Sequence, residues 1–272
     1  MYLCLRMVSF GQSAFQLSVD WNQDNIVTPG RDIGRTIFYY KYGNVYGVYH
    51  QMKSFDQFLN EGVNDPNIFK AVFLAGGPGS GKSFVVGRTA LTAQGLRLIN
   101  SDIAFEMALE KAGLEPTPEN IYSDQGQAIR TKAKVLTNKR KKLALAGRLG
   151  LIIDGTGKDY DKIKAQKAAL EKHGYECFMI FVNTNEATAL KRNQTRSRSL
   201  PGETVSKMWH AVQDNVGNFQ NLFKNRMIIV DNSDNADANS NTMQAYKVVT
   251  KWLSKPVMNP IAKHWIKLQN NR

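Results

Sequence analysis

The chain has 272 residues, 42% of them hydrophobic and 22% charged, a balance that suits one large globular domain or two small ones. Collagen, a coiled coil and wholesale disorder are excluded by the same figures. Lys and Arg number 36 against 23 Asp and Glu, so the formal charge is +13 and the favoured partner is anionic: nucleic acid, nucleotide or an acidic membrane surface.

The two cysteines, Cys4 and Cys177, are too few for a disulfide scaffold, and a reducing cytoplasm is the expected compartment. No run of about 18 apolar residues exists, so no spanning helix and no membrane partner are expected. The opening residues lack the continuous apolar stretch of an export signal.

Residues 1–66 read as an N-terminal extension. Thr36–Tyr49 is aromatic and β-branched around Gly43-Asn44, which predicts a β-hairpin. Five of the ten tyrosines lie there, suited either to stacking on bases or to packing against a neighbouring element. Met52–Leu59 reads as a short amphipathic helix that could itself begin a protein, leaving residues 1–51 as an appendage or an over-extended reading frame.

Residues 67–254 alternate apolar runs with helical stretches. The runs are Ala71–Ala75, Leu96–Asn100, Leu149–Asp154, Cys177–Val182 and Met227–Asp231, with helices such as Phe84–Ala93, Lys158–His173 and Glu203–Phe223 between them. That pattern predicts an α/β fold: a P-loop NTPase-type parallel sheet flanked by helices. Asp231–Thr242 reads as a mobile polar loop before a last helix, Met243–Leu253. Residues 255–272 read as a C-terminal tail on the surface.

The strongest motif is Gly76-Gly77-Pro78-Gly79-Ser80-Gly81-Lys82-Ser83, which satisfies G-x-x-x-x-G-K-[ST] between a predicted strand and a predicted helix that opens at Phe84. Glycines let backbone N–H groups converge on phosphate oxygens, and the helix N-terminus adds positive potential. Gly76 to Ser83 and Phe84 are expected to bind the nucleotide, with Lys82 reaching the β- and γ-phosphates and Ser83 offering a hydroxyl to Mg²⁺. The guanine-reading Asn-Lys-x-Asp does not occur, which favours ATP.

Two acids end two of the predicted strands. Asp102 follows Leu98-Ile99-Asn100-Ser101, where a carboxylate can accept a proton from an attacking hydroxyl; the plain alternative is that Ser101 or Asp102 caps the next helix. Asp154 ends Leu149–Ile153 and precedes Gly155-Thr156-Gly157, which places it as a carboxylate of the Mg²⁺ shell or as the cap of a turn.

Lys191-Arg192-Asn-Gln-Thr-Arg196-Ser-Arg198 supplies three guanidinium groups suited to a transferring phosphoryl group. A solvated helix end is the other reading. Residues 130–148 hold eight basic side chains and no acid, which suits either a nucleic-acid contact or a solvated helix face. The four histidines form no metal-type spacing with one another or with cysteine.

Taken together, the loop, the INSD stretch at Asp102, the segment LIIDGTGKDYDKIKAQKAALEKHGYECFMIFV, the arginine-rich stretch and MIIVDNS resemble the zeta-toxin and polynucleotide-kinase branch of P-loop kinases over residues 67–235. The resemblance implies ATP-dependent phosphorylation of a hydroxyl, on a nucleotide-sugar in zeta toxins and on a nucleic-acid 5′ end in polynucleotide kinases. It maps the base onto Asp102, the phosphate-binding pair onto Lys82 and Ser83, and the lid arginines onto Arg192, Arg196 or Arg198. An antitoxin-type protein partner is a further implication. Zeta toxins often carry Glu where this chain has Asp154, no D-x-D-x-T phosphatase motif is present, and residues 1–66 match neither group. A P-loop ATPase module with no phosphorylated acceptor is the expectation from a different class.

Overall fold

The structure is a computed structural model. It describes the backbone of six short strands within residues 6–49, and residues 62–195 and 199–271 in full. The chain divides into two compact units, Met1–Met52 and Lys53–Arg272.

In the first unit, β1 (Arg6–Phe10) pairs antiparallel with β2 (Ala14–Ser18), and β3 (Arg31–Asp32) with β4 (Arg35–Thr36). The hairpin expected between Thr36 and Tyr49 is present as β5 (Phe38–Tyr42) paired with β6 (Val45–Tyr49). Tyr42 lies opposite Val45. The helix expected at Met52–Leu59 lies outside the described residues.

The second unit is built on one parallel sheet of β7 (Lys70–Ala75), β8 (Arg97–Ile99), β9 (Leu151–Asp154), β10 (Glu176–Asn183) and β11 (Met227–Asp231), in the order β11-β10-β7-β9-β8. The expected α/β fold, a parallel sheet flanked by helices, is present. The central strand β7 and its neighbour β10 are apolar on both faces because both faces are covered. Ala71, Phe73, Ala75, Cys177, Met179 and Phe181 enter one core, while Val72, Leu74, Phe178, Ile180 and Val182 enter the other.

Ten helices are described. α1 (Lys82–Thr89) and α9 (Ala238–Leu253) cover the second core through Val85, Ala245 and Val249. The first core takes Ile163 and Leu170 from α5 (Tyr160–Lys172), Val212 from α7 (Gly202–Gln213), Phe219 and Phe223 from α8 (Val216–Phe223), and Ala262 from α10 (Pro260–Asn270). α2 (Ser101–Lys111), α3 (Pro118–Tyr122) and α4 (Asp124–Ala146) pack on one another around Phe105, Leu109, Ile121 and Ala133. α6 (Glu186–Gln194) follows β10. No helix among the described residues is long and apolar enough to cross a membrane.

Three expectations need correction. The stretch read as a polar loop to Thr242 becomes helix at Ala238, because the Asp237 side chain accepts from the Ser240 amide (3.0 Å) and Thr242 is buried. The continuous helix read over Glu203–Phe223 breaks after Gln213, where the Asn215 side chain donates to the Gly157 and Lys158 carbonyls (3.0 and 3.1 Å). The C-terminal stretch is more than a surface appendage. Ala262 is fully buried, Trp265 packs edge-on against Phe69 with centroids 5.4 Å apart, and the Met258 amide donates to Glu176 (2.7 Å).

That last bond joins a buried ion pair. Lys70 Nζ lies 2.8 Å from Glu176 Oε2, and Lys70 also sits over the Trp252 ring at 4.8 Å. Burial works to raise the Glu176 carboxyl, but the Lys70 hydrogen bond and the Met258 amide together hold it below its ordinary value. Its stabilising contribution is therefore complete above the ordinary glutamate range and is lost as pH falls through the depressed folded value. Glu176→Leu leaves Lys70 buried without a counter-charge and is expected to cost about 3–5 kcal/mol in urea unfolding at pH 7. Lys70→Met in the same chain should restore most of it, and an unchanged midpoint for the single variant would contradict the pairing.

Candidate active site

The loop leaving β7 is held from two sides. On one, the Gly76 amide donates to the Thr156 carbonyl and the Gly155 amide to the Leu74 carbonyl, both at 3.0 Å, which ties the loop to the turn after Asp154. On the other, Asn232, buried just past β11, donates its side-chain amide to the Ser80 carbonyl (2.7 Å). Gly79 and Gly81 have φ of +75° and +82°; a Cβ would lie 2.5 Å from the Ala189 carbonyl oxygen at the first and 2.2 Å from Asn232 Nδ2 at the second. Glycine is thus required twice, by conformation and by close approach. Gly81 is the N-cap of α1 and makes no side-chain cap bond, so that helix begins with no side chain of its own closing its end.

Lys82 folds back over this loop, donating to the Gly76 carbonyl (2.5 Å) and, more weakly, to that of Gly77 (3.4 Å). Ser83 is exposed on the first turn of α1. Phe84, expected beside the nucleotide, spends its amide on the Gly81 carbonyl (3.0 Å) and stacks its ring under Arg88 at 5.3 Å. Ser80 Oγ is buried without a hydrogen-bond partner.

Asp154 stands at the end of β9, next to the central strand, opposite Leu74. Its Oδ2 accepts from Asn100 Nδ2 (2.6 Å), while Oδ1 is buried with no partner. Burial raises the Asp154 carboxyl above its ordinary value; the Lys82 charge and the Asn100 bond oppose this, and the Asp102 charge adds to it. The Asp154 carboxyl thus feels both the Lys82 ammonium and the Asp102 carboxylate. The expected cap of α2 is corrected: Asn100, rather than Ser101 or Asp102, is the N-cap, accepting from the Asp102 amide (2.7 Å). A cavity of about 150 Å³ opens beside Asp154 and is lined by Thr156, Lys158, Asp159 and Lys162.

Of the three arginines, Arg192 is described. Its guanidinium lies 3.5 Å from the Gly79 carbonyl and 2.8 Å from Asp234 Oδ1. Lys191 also pairs with Asp234 (2.9 Å), and hydrogen bonds from Lys191 and then Arg192 hold that carboxyl below its ordinary value. Arg196 and Arg198 lie outside the described residues. The residues missed in the sequence are Asn100, Asn215, Asn232 and Asp234. Asn232 and Asp234 fell in a stretch read as mobile loop, and single amides carry no spacing pattern. The MIIVDNS ending was the available signal for Asn232.

A hard-oxygen donor set of the Ser83 hydroxyl and the Asp154 carboxylate, with Oδ1 unpartnered, fits Mg²⁺ held partly by phosphate.

The family model for AAA_33, an AAA domain, matches residues 72–216, more than half of the chain. This chain belongs to the AAA_33 family. Membership agrees with the resemblance drawn from the sequence: an AAA_33 domain here is a P-loop kinase-like domain. No curated protein matches the sequence. Among solved structures, this AAA_33 chain is similar to one from the PezAT chromosomal toxin–antitoxin system of Streptococcus pneumoniae (16% identity, TM-score 0.47, 72% of this chain and 92% of that one). It is also similar to an AvrRxo1-ORF1:AvrRxo1-ORF2 structure with sulphate ions (14%, 0.48, 64% and 58%) and to shikimate kinase from Bacteroides thetaiotaomicron (13%, 0.41, 66% and 98%). The chain spans 58% and 55% of the length of the two AvrRxo1 chains it matches first.

Gly79→Ala places a Cβ against main chain that cannot step aside and forces a strained φ. It is expected to weaken ATP binding at least tenfold by calorimetry, whereas Gly87→Ala, with no atom within 4 Å of the added Cβ, should leave binding unchanged.

Proposed function

We propose that the protein is an ATP-dependent phosphotransferase of the zeta-toxin-like type, moving the γ-phosphoryl group of ATP to a hydroxyl of a nucleotide-sugar or similar small acceptor. One observation carries the reading: the phosphate loop, Lys82, Asp102 and Asp154 converge at the C-terminal ends of neighbouring parallel strands. The loop amides of Gly77, Gly79 and Gly81 cradle the phosphates, the Gly76 and Ser80 amides hold the loop's shape on the Thr156 and Gly77 carbonyls, and Pro78 keeps the turn stiff between them. Lys82 leaves its carbonyl partners for the β- and γ-phosphate oxygens. Ser83 and Asp154 would hold Mg²⁺, which when bound would neutralise charge on the phosphates.

Asp102, exposed at the start of α2, accepts the proton of the acceptor hydroxyl. The acceptor oxygen then bonds to the γ-phosphorus as the bond to the β–γ bridging oxygen breaks, and ADP leaves. Arg192, already beside the loop at Gly79, supplies positive charge to the transferring group, with Arg196 and Arg198 assigned the same task. The buried free thiol of Cys177, raised by burial to about 12, is inert and suits the cytoplasm to which we assign the reaction.

A second acceptor, a 5′-hydroxyl nucleic-acid end, is favoured by α4, where Lys132, Lys134, Lys139, Arg140 and Lys142 are all exposed. Incubation with γ-labelled ATP and either UDP-N-acetylglucosamine or a 5′-hydroxyl oligonucleotide separates the two. Label on the sugar nucleotide is expected. Label on the oligonucleotide alone rejects that acceptor, and rapid phosphate release without any acceptor rejects the kinase reading in favour of an ATPase.

Lys82→Ala should abolish transfer. Asp102→Asn should lower kcat by roughly 10²–10⁴-fold while ATP binding stays near wild type, because the base acts in the chemical step alone. Normal turnover by Asp102→Asn would remove Asp102 from the base role.

A further inference from the structure

We propose that Asn100 is a positioning residue that ties the start of α2 to the Asp154 carboxylate: its oxygen fixes the main chain at Asp102 and its nitrogen fixes the rotation of the Asp154 carboxylate. The inference rests on the proposed function and names a residue to which that reading gives no part.

The orientation of the amide follows from its neighbours. A backbone N–H can only donate, so the atom 2.7 Å from the Asp102 amide must be the Asn100 oxygen. The nitrogen then faces Asp154 Oδ2 at 2.6 Å and donates to it. Asp, Ser and Thr also cap helices well, but none carries an acceptor and an NH₂ donor on separate atoms of one planar group. The cap alone does not call for asparagine, whereas the cap and the bridge together do.

The bridge sits where the ladder between β8 and β9 ends. β8 is a three-residue edge strand whose last paired position is Ile99 opposite Ile153. Asn100 and Asp154 are the next residues on the two strands, and their side-chain bond continues the pairing one step beyond the ladder. With Oδ2 engaged, Asp154 offers one oxygen, Oδ1, toward the site, buried and without a partner. The same amide accepts from the main chain of Asp102, so one rigid group ties the first turn of α2 to the Asp154 carboxylate.

Asn100→Ser keeps a good cap and removes the donor to Asp154. Asn100→Asp keeps the cap and sets a carboxylate against a carboxylate. Thermal unfolding of Asn100→Ser should stay within a few degrees of wild type. Its calorimetric Kd for ATP in Mg²⁺ should rise about 10–100-fold with little change in EDTA, and kcat should fall by a similar factor at constant acceptor KM. Asn100→Asp should lose more on both measures. Wild-type binding and turnover in Asn100→Ser overturn the inference. So does an equal loss of binding with and without Mg²⁺ at a lowered Tm, the mark of a merely structural cap. A wild-type protein that binds Mg²⁺–ATP but transfers nothing overturns the kinase reading, and the Mg²⁺-dependent binding difference still decides the role of Asn100. A wild-type protein that binds no nucleotide overturns both.

Discussion

A glycine-rich loop cannot hold its own shape, and the C-terminal edge of the sheet in the second unit is organised around that constraint. Its glycines remove side chains and permit left-handed backbone, which leaves the turn soft. Rigidity comes from neighbours in the sheet: the Gly76 amide on Thr156 to one side, Asn232 on the Ser80 carbonyl to the other. Both partners lie just past the C-terminal ends of parallel strands. The sheet order puts β7 between β9 and β10, with β11 beyond β10, so all of these ends open onto the same edge.

The same edge explains the electrostatics. Asp154 is buried enough for its carboxyl to rise, yet it stands within reach of Lys82 and takes a hydrogen bond from Asn100. A buried acid with one satisfied and one bare oxygen is a costly group for a purely structural role. At the opposite end of the sheet, the Lys70–Glu176 pair is closed over by Trp252 and Met258 and has its hydrogen bonds met. The two ends thus show how polar groups are treated for stability and for chemistry.

The Gly76–Ser83 motif, the five strand runs and the acids at 102 and 154 were legible because each has a pattern: fixed spacing, an unbroken apolar run, or an acid closing such a run. Strand limits moved by one or two residues, as at Leu149–Asp154, which begins at Leu151. Helix continuity was less legible. Asn215 breaks Glu203–Phe223 by bonding to carbonyls 57 and 58 residues earlier, which no local periodicity records. Asp231–Thr242 looked loose because its residues are polar; they are polar because they bond to β10, α6 and the phosphate loop.

By itself the sequence determined the fold class and the place of the central glycine-rich loop, because alternating periods of apolar residues and a glycine-lysine spacing are local properties of the chain. Tertiary structure alone decided which asparagines matter and how the acids are held. A single amide acquires a role only from the two groups that folding brings to its oxygen and its nitrogen. Strand order, set by packing across the whole sheet, brings Asn100 beside Asp154, 54 residues away, and Asn232 beside Ser80, 152 residues away.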